Sequence, residues 1–65
     1  MPFITIESGL MPKEQKNELI ERITQIASEI TQIPREFFFV SIKELPDENI
    51  GIGGISIDKI KANHR

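Results

Sequence analysis

Cysteine is absent from this 65-residue chain. Its absence excludes disulfides, thiolate metal sites and cysteine nucleophiles. Histidine occurs once, as His64 beside the C-terminus. With so few nitrogen and sulfur ligands, no metal and no other cofactor is expected. Charge of one sign is lacking too: the net charge is −2, with acidic and basic residues interspersed. Nothing in that pattern forms a nucleic-acid footprint. The tail from Asp58 to Arg65 is mildly basic and reads as solvated. No apolar run approaches the length of a membrane span. The N-terminus has neither the basic segment nor the long apolar stretch of a signal peptide, so a cytoplasmic protein is expected. There is no P-loop lysine motif, no internal repeat and no low-complexity segment.

Length leaves room for one domain, residues 1–65. A domain of this size buries only about 60% of the surface its unfolded chain exposes. Such scaffolds gain stability from disulfides, metals or partners. With the first two excluded, self-association remains.

Residues 3–7 alternate in polarity. Ile4 and Ile6 point one way, and Phe3, Thr5 and Glu7 the other, which predicts a strand. Ser8-Gly9 ends it. Pro12 predicts a helix start, because proline at the first helical position loses an N–H that would be unpaired anyway. Leu19, Ile20, Ile23, Ile26, Ala27 and Ile30 recur at helical spacing as one stripe, and Glu18 and Arg22 pair on the polar side. The helix is expected to run from about Pro12 to about Thr31. Pro34 stops it, since the residue before a proline is pushed out of the helical region.

Residues 36–44 read as a second strand. Phe38, Val40 and Ile42 share one face, and Phe37 and Phe39 the other. One helix covers one face of a two-stranded sheet, so the second aromatic face needs another partner. This predicts an oligomer with Phe37 or Phe39 at a subunit contact. Leu45 to Asn49 is a loop. Gly51-Ile52-Gly53-Gly54 and Ile55-Ser56-Ile57 follow and read as a short hairpin, or an arm reaching a neighbouring subunit. The glycines are not a dinucleotide fingerprint, because the strand–turn–helix context is missing. A helix of about twenty residues between the long strands suits a right-handed crossover joining parallel strands. The expected fold class is therefore α+β: a βαβ unit with parallel strands, one long helix and a C-terminal hairpin, assembled as an oligomer.

The candidate for chemistry is Pro2. The residue after the initiator methionine is small, so removal of Met1 is expected, leaving Pro2 with a free secondary amine. An N-terminal amine has a reference pKa of about 7.7–8, far closer to neutrality than lysine. Proline is intrinsically more basic, but burial or a nearby cation lowers it.

Met1-Pro2, the short strand, Glu14-Gln15-Lys16 opening the helix, Pro34 before the second strand, and Asn49-Ile50-Gly51-Ile52-Gly53-Gly54 together carry a family likeness. The sequence resembles the small-subunit tautomerase superfamily, in particular the 4-oxalocrotonate tautomerase group, over roughly residues 1–54. The resemblance implies a βαβ unit with a C-terminal hairpin, units that pair, and three pairs that form a hexamer. It implies a keto–enol tautomerase acting on a small 2-oxo acid, with Pro2 as the general base. A base near neutrality suits proton transfer at pH 7.

The departures narrow that implication. The best-known members carry an arginine just before the helix, where this chain has Leu10-Met11-Pro12. They carry a second arginine in strand 2, where this chain has Phe39. They place an aromatic residue before the Gly-Ile-Gly-Gly segment, where this chain has Ile50. Arginines clamp substrate carboxylates and polarise carbonyls, work suited to a planar cation. Without them a dicarboxylate is a poor substrate. A relatively apolar 2-oxo acid or enol of the phenylenolpyruvate kind fits Phe39 and Ile50 better. Desolvation by these residues would partly substitute for the missing cations in lowering the Pro2 pKa. The nearest replacement cations are Arg35 at the start of strand 2 and Lys43 near its end. Each reaches a pocket only across a subunit boundary and is otherwise a solvated surface charge. The competing reading is a non-catalytic oligomeric binding module of the same fold, with Pro2 structural.

Overall fold

A computed structural model describes residues 1–63 of the chain. His64 and Arg65, the end of the expected basic tail, lie outside the described residues. The two long strands, β1 (Phe3–Ser8) and β2 (Phe39–Glu44), are parallel neighbours, and α1 (Lys13–Thr31) joins them. The register runs from Phe3 opposite Phe39 to Ser8 opposite Glu44. Alternation sorts the side chains as the sequence implies. Ile4, Ile6, Val40 and Ile42 are half-buried on the helix side, while Phe3, Thr5, Glu7, Phe39, Ser41 and Lys43 are exposed on the other. From α1, Leu19, Ile23 and Ala27 are half-buried, and Thr24 is buried.

Pro12 caps α1 from outside, with φ −63° and ψ 155°. Its carbonyl accepts the Lys16 N–H at 3.2 Å. The helix was expected to include Pro12; proline's fixed φ suits either position, and an extended ψ places it one residue earlier. At the other end Gln32 takes the left-handed conformation, φ 59°, and its N–H bonds the Ser28 carbonyl at 2.8 Å. Ser28 Oγ donates to the Ile33 carbonyl and Thr31 Oγ1 to the Ala27 carbonyl, each at 2.7 Å. Side chains thus close a helix end that has no glycine.

Strand 2 is shorter than the expected 36–44. Arg35–Phe37 forms a 3-10 turn, with the Phe37 N–H on the Pro34 carbonyl at 3.1 Å and the Phe38 N–H on the Arg35 carbonyl at 3.2 Å. The parallel ladder stops because the next position on β1 is Pro2, which has no N–H to give. Phe37 and Arg35 therefore stand off the sheet, and its outer aromatic face is made by Phe3 and Phe39.

Beyond β2, a 3-10 turn at Asp47–Asn49 leads into β3 (Gly51–Ile52) and β4 (Ile55–Ser56), an antiparallel pair. Gly53 and Gly54 have φ of 61° and 85°. Two positive φ values at the centre of a two-residue loop are the demand of a type I′ turn, and here glycine is needed. The segment expected as a solvated tail is helical over α2 (Ile57–Asn63). Its seven residues are too few for a helical period to show in sequence. The Ile57 N–H bonds the Ile50 carbonyl at 2.8 Å, and Lys61 Nζ meets Asp47 at 2.8 Å. Ile50, Ile57 and Ile60 are half-buried around this joint.

Among the described residues no apolar side chain is fully buried. The isolated chain exposes 5323 Å², where a compact monomer of its mass exposes about 4,200 Å². Its radius of gyration is 15.7 Å, with extents of 46 × 23 × 15 Å; a compact domain of this length has about 11 Å. The fold is locally complete but lacks a closed core.

Candidate active site

Pro2 sits at the head of β1, half-buried, and its carbonyl accepts the Phe39 N–H at 3.0 Å. That bond fixes the N-terminal end of the sheet: the backbone of Pro2 cannot move without β2. One residue on, the Phe3 and Phe39 rings stack, with centroids 5.1 Å apart and planes 21° from parallel. Both rings remain at least half exposed, Phe3 at 74% and Phe39 at 50%. The register that sets Phe3 opposite Phe39 produces this plate. Below it on the outer face, Ser41 Oγ lies 3.4 Å from Thr5 Oγ1, and Glu7 stands opposite Lys43. The face is thus graded from aromatic, through hydroxyl, to charged.

The structure brings Pro2 and Phe39 together and leaves the other sequence candidates apart within one chain. Arg35 donates from Nη1 to Gln25 Oε1 at 2.6 Å, so its guanidinium lies along α1. Lys43 is four residues along β2 from Phe39, about 13 Å at the rise of a strand. Ile50 lies at the joint between the Asp47–Asn49 turn and the hairpin.

The opposite end of the sheet is polar and interlocked. Glu44 Oε1 takes a hydrogen bond from Lys16 Nζ at 2.6 Å, and Oε2 takes the Met11 N–H at 3.0 Å. The Lys16 hydrogen bond, followed by the Met11 N–H, holds the Glu44 carboxyl below its usual range. One carboxylate therefore ties β2, the loop before α1 and the first turn of α1. A shallow groove lined by Met11, Gln15, Glu18, Leu19 and Arg22 lies along this end of the helix, with Glu18 and Arg22 ion-paired at its rim.

Two contributions escaped the sequence reading. Phe3 joins the aromatic plate; the signal was present, since parallel pairing of the two strands sets their first aromatics side by side. Lys16, in the first turn of α1, is the partner of Glu44, and the long separation of the two in sequence gives no sign of it.

Comparison with known proteins fits this geometry. Residues 2–60 match the family model described as tautomerase enzyme. A probable tautomerase of Campylobacter jejuni is 36% identical over 64 residues, 95% of this chain and 94% of that protein. Among solved structures, a 4-oxalocrotonate tautomerase isozyme from Methylibium petroleiphilum is 38% identical, with a TM-score of 0.81 over 91% of this chain and 97% of that one. TomN, a 4-oxalocrotonate tautomerase homologue of the tomaymycin biosynthetic pathway, is 26% identical with a TM-score of 0.91, covering 98% of this chain and all of that one. No described helix is long and apolar enough to cross a membrane.

Proposed function

We propose that this chain, which belongs to the tautomerase family, interconverts the enol and keto forms of a small, relatively apolar 2-oxo acid, with Pro2 as general base. With Met1 attached, the Pro2 nitrogen is an amide and accepts no proton. Removal of Met1 gives a secondary amine. That amine takes the proton from the enol oxygen as the carbonyl forms, and delivers it to carbon as the C=C bond is consumed. The reverse sequence runs by the same path. No atom is gained or lost, so the chemistry is an isomerisation and draws on no second reactant.

The observation that carries this reading is the setting of Pro2. It is half-buried at a strand end, held through its carbonyl by the Phe39 N–H at 3.0 Å, beside an aromatic plate. Partial desolvation disfavours the protonated amine and moves it toward the free base. Phe39, with Ile50 brought in by a neighbouring subunit, lines the apolar part of the pocket. Arg35 or Lys43, delivered by a neighbouring subunit, supplies the cation for the substrate carboxylate; within its own chain the Arg35 guanidinium is bonded to Gln25. The working form is a homo-oligomer, a hexamer in this reading. Its support is physical: the isolated chain exposes 5323 Å² and buries no apolar side chain fully among the described residues.

The test compares two forms of the protein, one with Met1 removed and one with the amine acylated. Conversion of an aryl 2-oxo acid enol is followed by absorbance. Turnover in the free-amine form, rising with pH through one ionisation and falling to background on acylation, supports the mechanism. Equal turnover in both forms overturns it. No turnover across a panel of 2-oxo acids leaves the binding module as the function.

A further inference from the structure

We propose that Phe3 is a specificity-determining residue: with Phe39 it forms a two-ring platform beside Pro2 that favours flat, conjugated substrates over alkyl ones. The inference rests on the tautomerase reading and adds to it a residue and a selection rule. Phe3 follows the base directly in sequence, so its position relative to the Pro2 nitrogen is fixed by one residue of backbone. That backbone is pinned in turn by the Phe39 N–H on the Pro2 carbonyl at 3.0 Å. The rings lie 5.1 Å apart at 21°, an offset-stacked geometry. Phe3 is the more open of the two, at 74% exposed against 50% for Phe39. The pair therefore presents a ring face that none of the described residues fully covers, at the end of the sheet where the base stands.

The chemistry names the occupant. An enol conjugated to an aryl ring is planar along its whole length, and the ketone loses part of that planarity as the carbon is protonated. An aromatic plate holds the flat form against its own rings while the amine works at the edge. An alkyl enol offers no comparable face. Among the described residues, the Arg35 guanidinium is bonded to Gln25, and Lys43 lies four residues from Phe39 along β2. The cation delivered by a neighbouring subunit holds the carboxylate, and the plate selects the conjugated body attached to it. Association of subunits has other apolar surface to use. Ile26 and Ile30 on α1 and Ile52 and Ile55 on the hairpin are all at least half exposed.

The experiment measures kcat/KM for matched aryl and alkyl 2-oxo acid enols in the Met1-free protein and in Phe3→Leu and Phe3→Ala. Light scattering follows assembly in each. Leucine keeps the apolar bulk and removes the ring. The expected result is a fall of about three- to tenfold in the aryl-to-alkyl ratio in Phe3→Leu, the size of a lost aromatic pair. The assembly size and the pH profile are expected to stay as in the parent. An unchanged ratio with the assembly intact overturns the proposal. Dissociation of Phe3→Leu into smaller species makes Phe3 a subunit contact and overturns it as well. A parent protein that is inactive on every enol refutes the tautomerase reading itself, and is told apart because no ratio exists to compare.

Discussion

The two ends of the β1–β2 sheet are built on opposite principles. At the end where both strands finish, one carboxylate serves three elements: Glu44 bonds Lys16 on α1 and the Met11 N–H in the connecting loop while itself closing β2. The Leu45 N–H adds a bond to the Ser8 carbonyl at 2.9 Å. At the end where both strands begin, one backbone bond joins Pro2 to Phe39, and two exposed rings stack beside it. Polar groups spend their bonding capacity on the fold at the first end. At the second, apolar surface and the Pro2 backbone are left facing outward. Burying a charged amine among apolar groups shifts it toward its neutral form, whereas the ion-paired end would hold charge in place. The difference separates the part of the sheet that fixes geometry from the part available for binding and proton transfer.

Blocking the Pro2 amine breaks this comparison most severely. Retained Met1 or chemical acylation removes the base and leaves every side chain of the Glu44 cluster untouched. Enol-to-keto turnover is expected to fall on the order of 10²–10⁴-fold, with circular dichroism and assembly size unchanged. If turnover falls only together with assembly, the N-terminal end is structural, and the separation of roles fails.

The next effect is on assembly. Ile30 is 78% exposed in the single chain and Phe37 52%. A glutamate at either position costs an isolated chain little, since the side chain would sit in water. In an oligomer that covers them, an unpaired buried charge costs on the order of 3–5 kcal/mol. Ile30→Glu and Phe37→Glu are therefore expected to weaken association by about a hundredfold or more. Sedimentation at micromolar concentration reads this directly. A parent protein that runs as a compact monomer would contradict the argument from exposed surface.

How much of this the sequence disclosed depends on the range of the interaction. Alternation over Phe3–Glu7 and the helical spacing of Leu19, Ile23 and Ala27 are local signals, and they yielded the strands, the helix and the inner face. The Gly53-Gly54 hairpin was legible because positive φ demands a residue type. The start of β2 was misplaced by three residues, from 36 to Phe39, because ladder length depends on the partner strand, and Pro2 cuts it short. Helix α2 carries no comparable local signal, since among the described residues it is held through contacts to distant positions, the Lys61–Asp47 ion pair and the Ile57 N–H on the Ile50 carbonyl among them. The Glu44–Lys16 link joins residues far apart in sequence, and no pattern encodes it. Pro2 itself was visible at once. Its setting beside Phe3 was not, because that takes the register.

Phe39→Arg sharpens the comparison by placing a cation at the N-terminal end, where the best-known members of the family carry arginine. A guanidinium there forms charge-assisted bonds to a carboxylate. Each such bond contributes about 1.5–3 kcal/mol. The preference for a dicarboxylate over an aryl 2-oxo acid, measured as a ratio of kcat/KM values, is expected to rise about tenfold or more. The cation also stabilises the free amine, so the ionisation seen in the rate profile is expected at lower pH. A ratio that does not move would mean that position 39 of this chain lies outside the substrate pocket.

The smallest expected effect is at the other end, and its sign follows from Glu44. Lys16 and the Met11 N–H hold this carboxyl below its usual value of 4.5. A carboxylate with a depressed folded-state pKa binds fewer protons folded than unfolded. Its contribution is therefore fully present above the unfolded value. It is lost as pH falls from about that value through the lower folded one. Thermal unfolding at fixed protein concentration, followed from pH 7 down to pH 3, is expected to show the parent losing stability across that window. Glu44→Gln keeps an acceptor for the Met11 N–H and removes the charge opposite Lys16. In that variant the loss across the same window is expected to be shallower, from a lower starting point at pH 7. Because the group is near the surface, salt screens the pair, and the two profiles are expected to converge as ionic strength rises. Turnover at pH 7, referred to assembled protein, is expected to change little, since the base and the aromatic plate stand at the far end of the sheet. Parallel profiles for parent and variant would remove Glu44 as the tie. A large fall in turnover with assembly intact would show that the two ends are coupled, and that the loop held by Glu44 reaches the pocket of a neighbouring subunit.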